Sequence, residues 1–110
     1  MEKSLKGCVA IIPFPFSDLT GSKKRPALIV ADWNRDDVIL SQITSIAHKD
    51  SFAIDLTDKD FSEGGLQMKS FIRPNKLFTA DKTILLKTIG TLTDKKMKEI
   101  SKIICDLISK

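Results

Sequence analysis

Histidine is almost missing from this chain: His48 is the only one in 110 residues. That removes most imidazole-based acid–base chemistry, and His48 itself reads as a surface or turn residue near a strand end. Cysteine is equally scarce. Cys8 and Cys105 lie near opposite ends, and neither has a second cysteine or histidine a few residues away, so no metal-ligand spacing exists and no metal or cofactor is expected. In a chain without a targeting segment such a pair predicts two reduced, buried thiols. No run approaches the roughly 18 apolar residues of a membrane span. The apolar run at residues 8–12 falls short of the roughly 7–15 residues of a secretory core, and no small-residue cleavage site follows. The expectation is a cytoplasmic protein without membrane association. Also missing are a nucleophile elbow, a phosphate-binding P-loop, the dinucleotide-binding glycines, any internal repeat and any low-complexity segment.

What is present suits one domain spanning residues 1–110, with 42% hydrophobic and 29% charged residues. The net charge of +4 is modest, but its distribution is uneven. Residues 56–110 carry 11 basic against 7 acidic side chains, while residues 1–55 balance. Two local clusters stand out, Lys23, Lys24 and Arg25, then Lys69, Arg73 and Lys76. Such clusters suit phosphates, and they equally describe a solvated face.

Strand signals dominate the first three quarters. Residues 8–12 are apolar and rich in β-branched side chains, which predicts a buried strand, and the prolines at 13 and 15 predict that pairing ends there. Residues 17–25 read as an exposed polar loop around Gly21. Residues 26–31 form a second strand with Pro26 at its first position, and 38–46 a third with imperfect alternation. Residues 52–56 alternate cleanly, and 66–73 follow Gly64 and Gly65 as a fifth strand. Residues 76–82 are ambiguous between a strand extension and a helical turn, and 84–92 suggest a last strand broken at Gly90. The final segment changes period: Met97, Ile100, Ile104, Leu107 and Ile108 follow 3- and 4-residue steps, with Thr93 as N-cap and Asp94 as a first-turn acid. The predicted architecture is mainly β with one C-terminal helix (α+β), a small curved sheet closing into an SH3-like barrel. The helix stripe packs on the sheet or on a second subunit, with Lys95, Lys98 and Lys102 solubilising its outer face.

Arg25 ends the polar loop and precedes the proline that starts a strand, which places a guanidinium at the lip of a barrel. Arginine offers fixed bidentate donors to phosphate and never loses its charge. Residue by residue, however, a salt bridge to Asp18 or plain solvation fits Arg25 equally, a structural role fits Thr44, and a core role fits Phe14 and Phe16.

Five blocks taken together are similar to the MazF/PemK family of type II toxin–antitoxin toxins: Gly7 to Asp18, Lys24 to Val30, Ser41 to Ile46, Ser70 to Thr79 and Lys87 to Leu92, in order and in register. The resemblance implies an SH3-like barrel of the CcdB/MazF type, a homodimer, and sequence-specific, metal-independent cleavage of single-stranded RNA (mRNA) by attack of its own 2′-hydroxyl on the adjacent phosphate. It implies Arg25 and Thr44 as the active-site pair, Arg73 as a supporting cation, and a cognate antitoxin as partner. Ser22, Lys23 and Lys24 would then track the RNA backbone and Phe16 would stack on a base. The chain departs from the common pattern at Cys8 and at Pro74, Asn75 and Lys76, where many members carry acids. Two other functions belong to the same architecture: a CcdB-like poison of DNA gyrase, and a non-catalytic nucleic-acid-binding SH3-like module.

Overall fold

The apolar run that opens at Cys8 forms β1 (Cys8–Phe14), the first of seven strands among the described residues. The structure, a computed structural model, describes residues 4–14, 23–46 and 51–110, with Phe14 and Lys23 as backbone only. Phe16, Ser22 and His48 lie outside the described residues. The strands that follow are β2 (Lys23–Asp32), β3 (Asp37–Thr44), β4 (Ile54–Leu56), β5 (Phe61–Gly64), β6 (Ser70–Asp81) and β7 (Lys87–Leu92). Every pairing is antiparallel, in the spatial order β4-β6-β3-β2-β1-β7-β5.

Chain connectivity forces this sheet to curl. Its two edges, β4 and β5, are joined by residues 57–60 alone. Five Cα steps reach at most about 17 Å, whereas six inter-strand spacings of a flat sheet would separate the edges by about 29 Å. The edges therefore approach each other, and the sheet is an open half-barrel. One face buries Val9, Leu28, Ile43, Ile54, Leu56, Ile72 and Leu92, and the other buries Ala10, Ile12, Ala27, Ile29, Val38 and Leu40.

The first face is capped by α1 (Asp94–Ile108). Thr93 is extended and its Oγ1 accepts a hydrogen bond from the Lys96 amide at 3.2 Å, satisfying one of the free donors of the first turn. Met97 and Ile100 are buried in that core, with Ile103 and Ile104 packed against it. The stripe packs on the core as far as Ile104, whereas Ile108 in the last turn is 70% exposed. Lys96 is buried too, its ammonium 3.6 Å from Asp60 and 3.5 Å from Glu99.

Several expectations need correction. Pairing of β1 does not stop at Pro13 but continues through Pro13↔Lys24 and Phe14↔Lys23. The carbonyl of Ile11 accepts from the Leu86 amide, on the β7 side. Strand alternation turns the missing Pro13 N–H to that same side, where β7 no longer runs, so no ladder bond is lost. Residues 66–69 are not strand; β6 starts at Ser70 and runs on to Asp81, so residues 76–81 are a strand extension. Its length is possible because it bends: the register with β3 jumps from Gln42↔Arg73 to Ser41↔Leu77, leaving Pro74, Asn75 and Lys76 in a bulge. The buried Ser41 hydroxyl donates to the Arg73 carbonyl there at 2.6 Å. Cys105 is exposed rather than buried, since it lies on the outer side of α1, and both cysteines are free.

One ion pair ties the start of the chain to the sheet. Asp32 accepts the Leu5 amide at 2.7 Å and pairs with Lys82 at 2.8 Å, and Lys82 also donates to the Asn34 carbonyl at 2.6 Å. The Leu5 hydrogen bond and then Lys82 hold the Asp32 carboxyl below the ordinary aspartate range, although burial pulls the other way. A depressed folded-state value means stability that is present above the unfolded value and lost as pH falls. Melting curves of wild type are therefore expected to weaken as pH drops from about 5 through the unfolded aspartate range near 3.9. Asp32→Asn is expected to melt lower at pH 7 and to show a flatter dependence across that window. Equal slopes would remove Asp32 from the account.

Candidate active site

Across the concave face one row of residues runs from strand to strand. The pairings Ile11↔Lys87 and Ile11↔Pro26 set β7, β1 and β2 side by side. Between β2 and β3 the register Ala27↔Gln42, continued two steps past its last printed bond, sets Pro26 opposite Ile43 and Arg25 opposite Thr44. Lys87, Ile11, Pro26, Ile43, Arg25 and Thr44 all line one open cleft of about 430 Å³. The far wall is the loop of residues 65–69 between β5 and β6, contributing Gly65, Leu66, Gln67 and Met68, with Ser45 and Ser70 at the ends.

Among the described residues the cleft's charge is of one sign. Arg25 and Lys87 reach it from strands on either side of β1, and no aspartate or glutamate is among its described lining residues. Two fixed cations over an apolar floor of Ile11, Pro26 and Ile43 make an anion site whose field is little diluted by opposing charge. Thr44 is almost buried, and its Oγ1 accepts the Ile46 amide at 3.2 Å. That bond uses a lone pair and leaves the hydroxyl proton to be donated, so Thr44 is set up as a donor to an anionic oxygen rather than as a base.

Arg25 and Thr44 line the cleft together, and Arg73 is not among its lining residues. Arg73 pairs with Gln42, which pairs with Ala27, and Thr44 pairs with Phe71, so alternation keeps Arg73 on the same side of the sheet as Arg25 and Thr44, two strands away from Arg25. Lys24, one position before Arg25, is exposed and outside the lining, and Lys23 is described in backbone only. Lys87 was missed by reasoning from residue types. Its signal was its place at the head of the last strand, which only the β1–β7 register turns into a cleft position. Of the departures, Cys8 is half-buried with Sγ 3.8 Å from the Thr91 hydroxyl, and Pro74 to Lys76 form the β6 bulge. Among the described residues no group of three His, Cys, Asp or Glu side chains is placed to hold a metal ion, and no helix is long and apolar enough to cross a membrane.

A family model for PemK-like, MazF-like toxins of type II toxin–antitoxin systems matches residues 6–108. The chain belongs to that family. No curated protein matches it significantly. Among solved structures, a mycobacterial endoribonuclease in complex with its cognate antitoxin is similar at a TM-score of 0.71 and 18% identity, covering 99% of this chain and 96% of the other. The Mycobacterium tuberculosis toxin MazF-mt6 gives 0.70 and 18%, with 93% and 96% covered. A chain of the MazE–MazF structure from Deinococcus radiodurans gives 0.71 and 14%, with 97% of each covered. At such identities the likeness is one of fold: a MazF-like half-barrel with one C-terminal helix.

Proposed function

We propose that this MazF/PemK-family toxin is a metal-independent, sequence-specific endoribonuclease acting on single-stranded mRNA, with Arg25 and Thr44 at its centre. The observation that carries the reading is the cleft in which Arg25, Thr44 and Lys87 converge with no carboxylate among its described lining residues. Solved relatives include proteins titled endoribonuclease, which supports it at the level of the family.

In the proposed reaction the substrate supplies its own nucleophile. The 2′-hydroxyl loses its proton and forms a bond to the adjacent phosphorus, while the P–O5′ bond breaks and O5′ takes up a proton. The products are a 2′,3′-cyclic phosphate and a free 5′-hydroxyl. Arg25 holds two phosphate oxygens and stabilises the charge that builds on the phosphorane, Lys87 neutralises it from the β7 side, and Thr44 donates a hydrogen bond that fixes the phosphate in line. With no carboxylate or imidazole among the described lining residues, the rate enhancement comes from positioning and charge. Arg73, two strands from Arg25 on the same side of the sheet, would add supporting positive charge beside the phosphate.

The toxin is expected to act in the cytoplasm as a homodimer of one-domain chains. Solved relatives in complex with antitoxins support a cognate antitoxin as partner, and in this reading it neutralises the toxin by laying a disordered tail over the Arg25 cleft. The test is incubation of purified protein with a long single-stranded RNA in EDTA, beside Thr44→Val. Wild type is expected to cut at a restricted set of sequences, and the variant, which keeps the shape but loses the donor, to cut those sites about ten- to a hundredfold more slowly. Intact RNA together with arrested growth on expression would replace this reading with a gyrase-type target.

A further inference from the structure

The seam of the half-barrel holds a second cavity that the cleavage chemistry does not use. It measures about 190 Å³ and is lined by Leu56, Thr57, Asp58, Phe61, Leu66, Gln67, Met68 and Lys69. Leu66, Gln67 and Met68 also line the Arg25 cleft, so residues 66–68 form a wall with the phosphate site on one side and this cavity on the other. At roughly 30 Å³ per water the cavity has the capacity of about six waters, the scale of one heterocyclic ring.

Its lining is half apolar and half polar, and its one carboxylate is unclaimed. Leu56 is buried, and Phe61 and Leu66 are half-buried. An Asp58 oxygen lies 3.7 Å from where a Cβ on Gly65 would sit, so the carboxylate stands against the shared loop. Among the described residues no side chain or amide hydrogen-bonds or pairs with that carboxylate. The neighbouring Thr57 is already engaged, with its amide and hydroxyl on Asp60 at 2.8 and 3.4 Å. Lys69, the cation in the lining, has its ammonium over the Phe71 ring at 5.8 Å. An ionised carboxylate only accepts hydrogen bonds. Beside a site for a polyanion it repels phosphate, and it favours a group that presents N–H donors.

We propose that this cavity receives the base of a nucleotide next to the scissile phosphate and selects cytosine over uracil through Asp58. The proposal rests on the endoribonuclease reading for the phosphate next door. Cytosine and uracil have one ring size and differ at position 4: the cytosine amino group donates to Asp58, whereas the uracil carbonyl places a second acceptor against it. Gln67, with an amide on the same wall, can donate and accept and so meets the neighbouring polar atoms of the ring.

The test measures binding without cleavage, by fluorescence anisotropy of equal-length 2′-O-methyl oligo-C and oligo-U at fixed salt, with Asp58→Asn as the variant. Wild type is expected to bind oligo-C about tenfold more tightly. Asn donates as well as accepts, so the variant is expected to bring the two within about twofold. Asp58 is exposed, so the variant should melt with wild type. Equal affinities in wild type overturn the proposal on their own, and so does a cytosine preference that survives in Asp58→Asn. A wild type that cuts RNA but binds both oligomers equally removes the base pocket and leaves the endoribonuclease reading in place. One that prefers oligo-C through Asp58 yet cuts nothing keeps the pocket and removes that reading.

Discussion

Arg25→Ala is expected to lower the rate of RNA cleavage by about a hundred- to a thousandfold, the usual effect of deleting a main charge-stabilising donor from a transition state. Arg25 lies near the start of β2, half-buried, where the register sets it opposite Thr44. Its guanidinium is the planar donor in the cleft; Lys87 supplies charge from the other flank but not a fork. Arg25→Lys is therefore expected to fall between wild type and alanine, because an ammonium keeps the charge and loses the two parallel hydrogen bonds. The core contacts of β2 are made by Ala27, Leu28 and Ile29, so the melting temperature should barely move. Initial rates in EDTA, beside thermal melts, check both halves. An alanine variant that cuts within threefold of wild type would remove Arg25 from the site.

The second large effect is on folding. Gly64 has φ +67, and a Cβ there would lie 2.1 Å from the Ile89 carbonyl oxygen and 2.7 Å from the Gly90 Cα. Both obstacles are backbone, so no rotamer change relieves them, and among the described residues β5 is an edge strand paired with β7 alone. Gly64→Val is expected to cost about 4 kcal/mol, a fall of at least about 15 °C in Tm for a domain of this size. Cleavage should fall with it, since residue 64 leads directly into the loop that walls the cleft. A valine variant that melts within a few degrees of wild type would mean that β5 is not held against β7 as described.

Much of the fold was legible because local rules and tertiary packing agree there. Thr93 and the spacing from Met97 to Ile104 announced α1, and β-branched runs announced the strands of the core. The chemistry of prolines was harder to read. A proline ends a strand only when its missing N–H faces a partner, and at Pro13 it faces a side that β7 has left. At Pro74 the strand bulges rather than stops, which hid the full length of β6. Residues 66–69 follow a pair of glycines and include Leu66 and Met68, which resemble a strand in isolation; they bridge β5 to β6 instead.

The site was legible in part. Arg25 and Thr44 are 19 positions apart, and only the antiparallel register makes them neighbours. Arg73 carries the right chemistry, and only the β2–β3–β6 register places it on the side of the sheet that Arg25 and Thr44 share. Lys87 and Asp58 look in sequence like ordinary surface charges. Their significance comes from closure of the sheet, which sets β7 beside β1 and brings the two free edges to a seam.

Whether the substrate supplies its own nucleophile at this cleft can be asked with one change to one atom. A short RNA containing a mapped cut site is synthesised with a single 2′-deoxy sugar on the 5′ side of that bond and incubated with wild type in EDTA. The account predicts that the deoxy substrate stays whole while the all-ribose control yields a cyclic phosphate and a 5′-hydroxyl. Cleavage of the deoxy substrate at the same bond, or a control product ending in a 5′-phosphate, would contradict it.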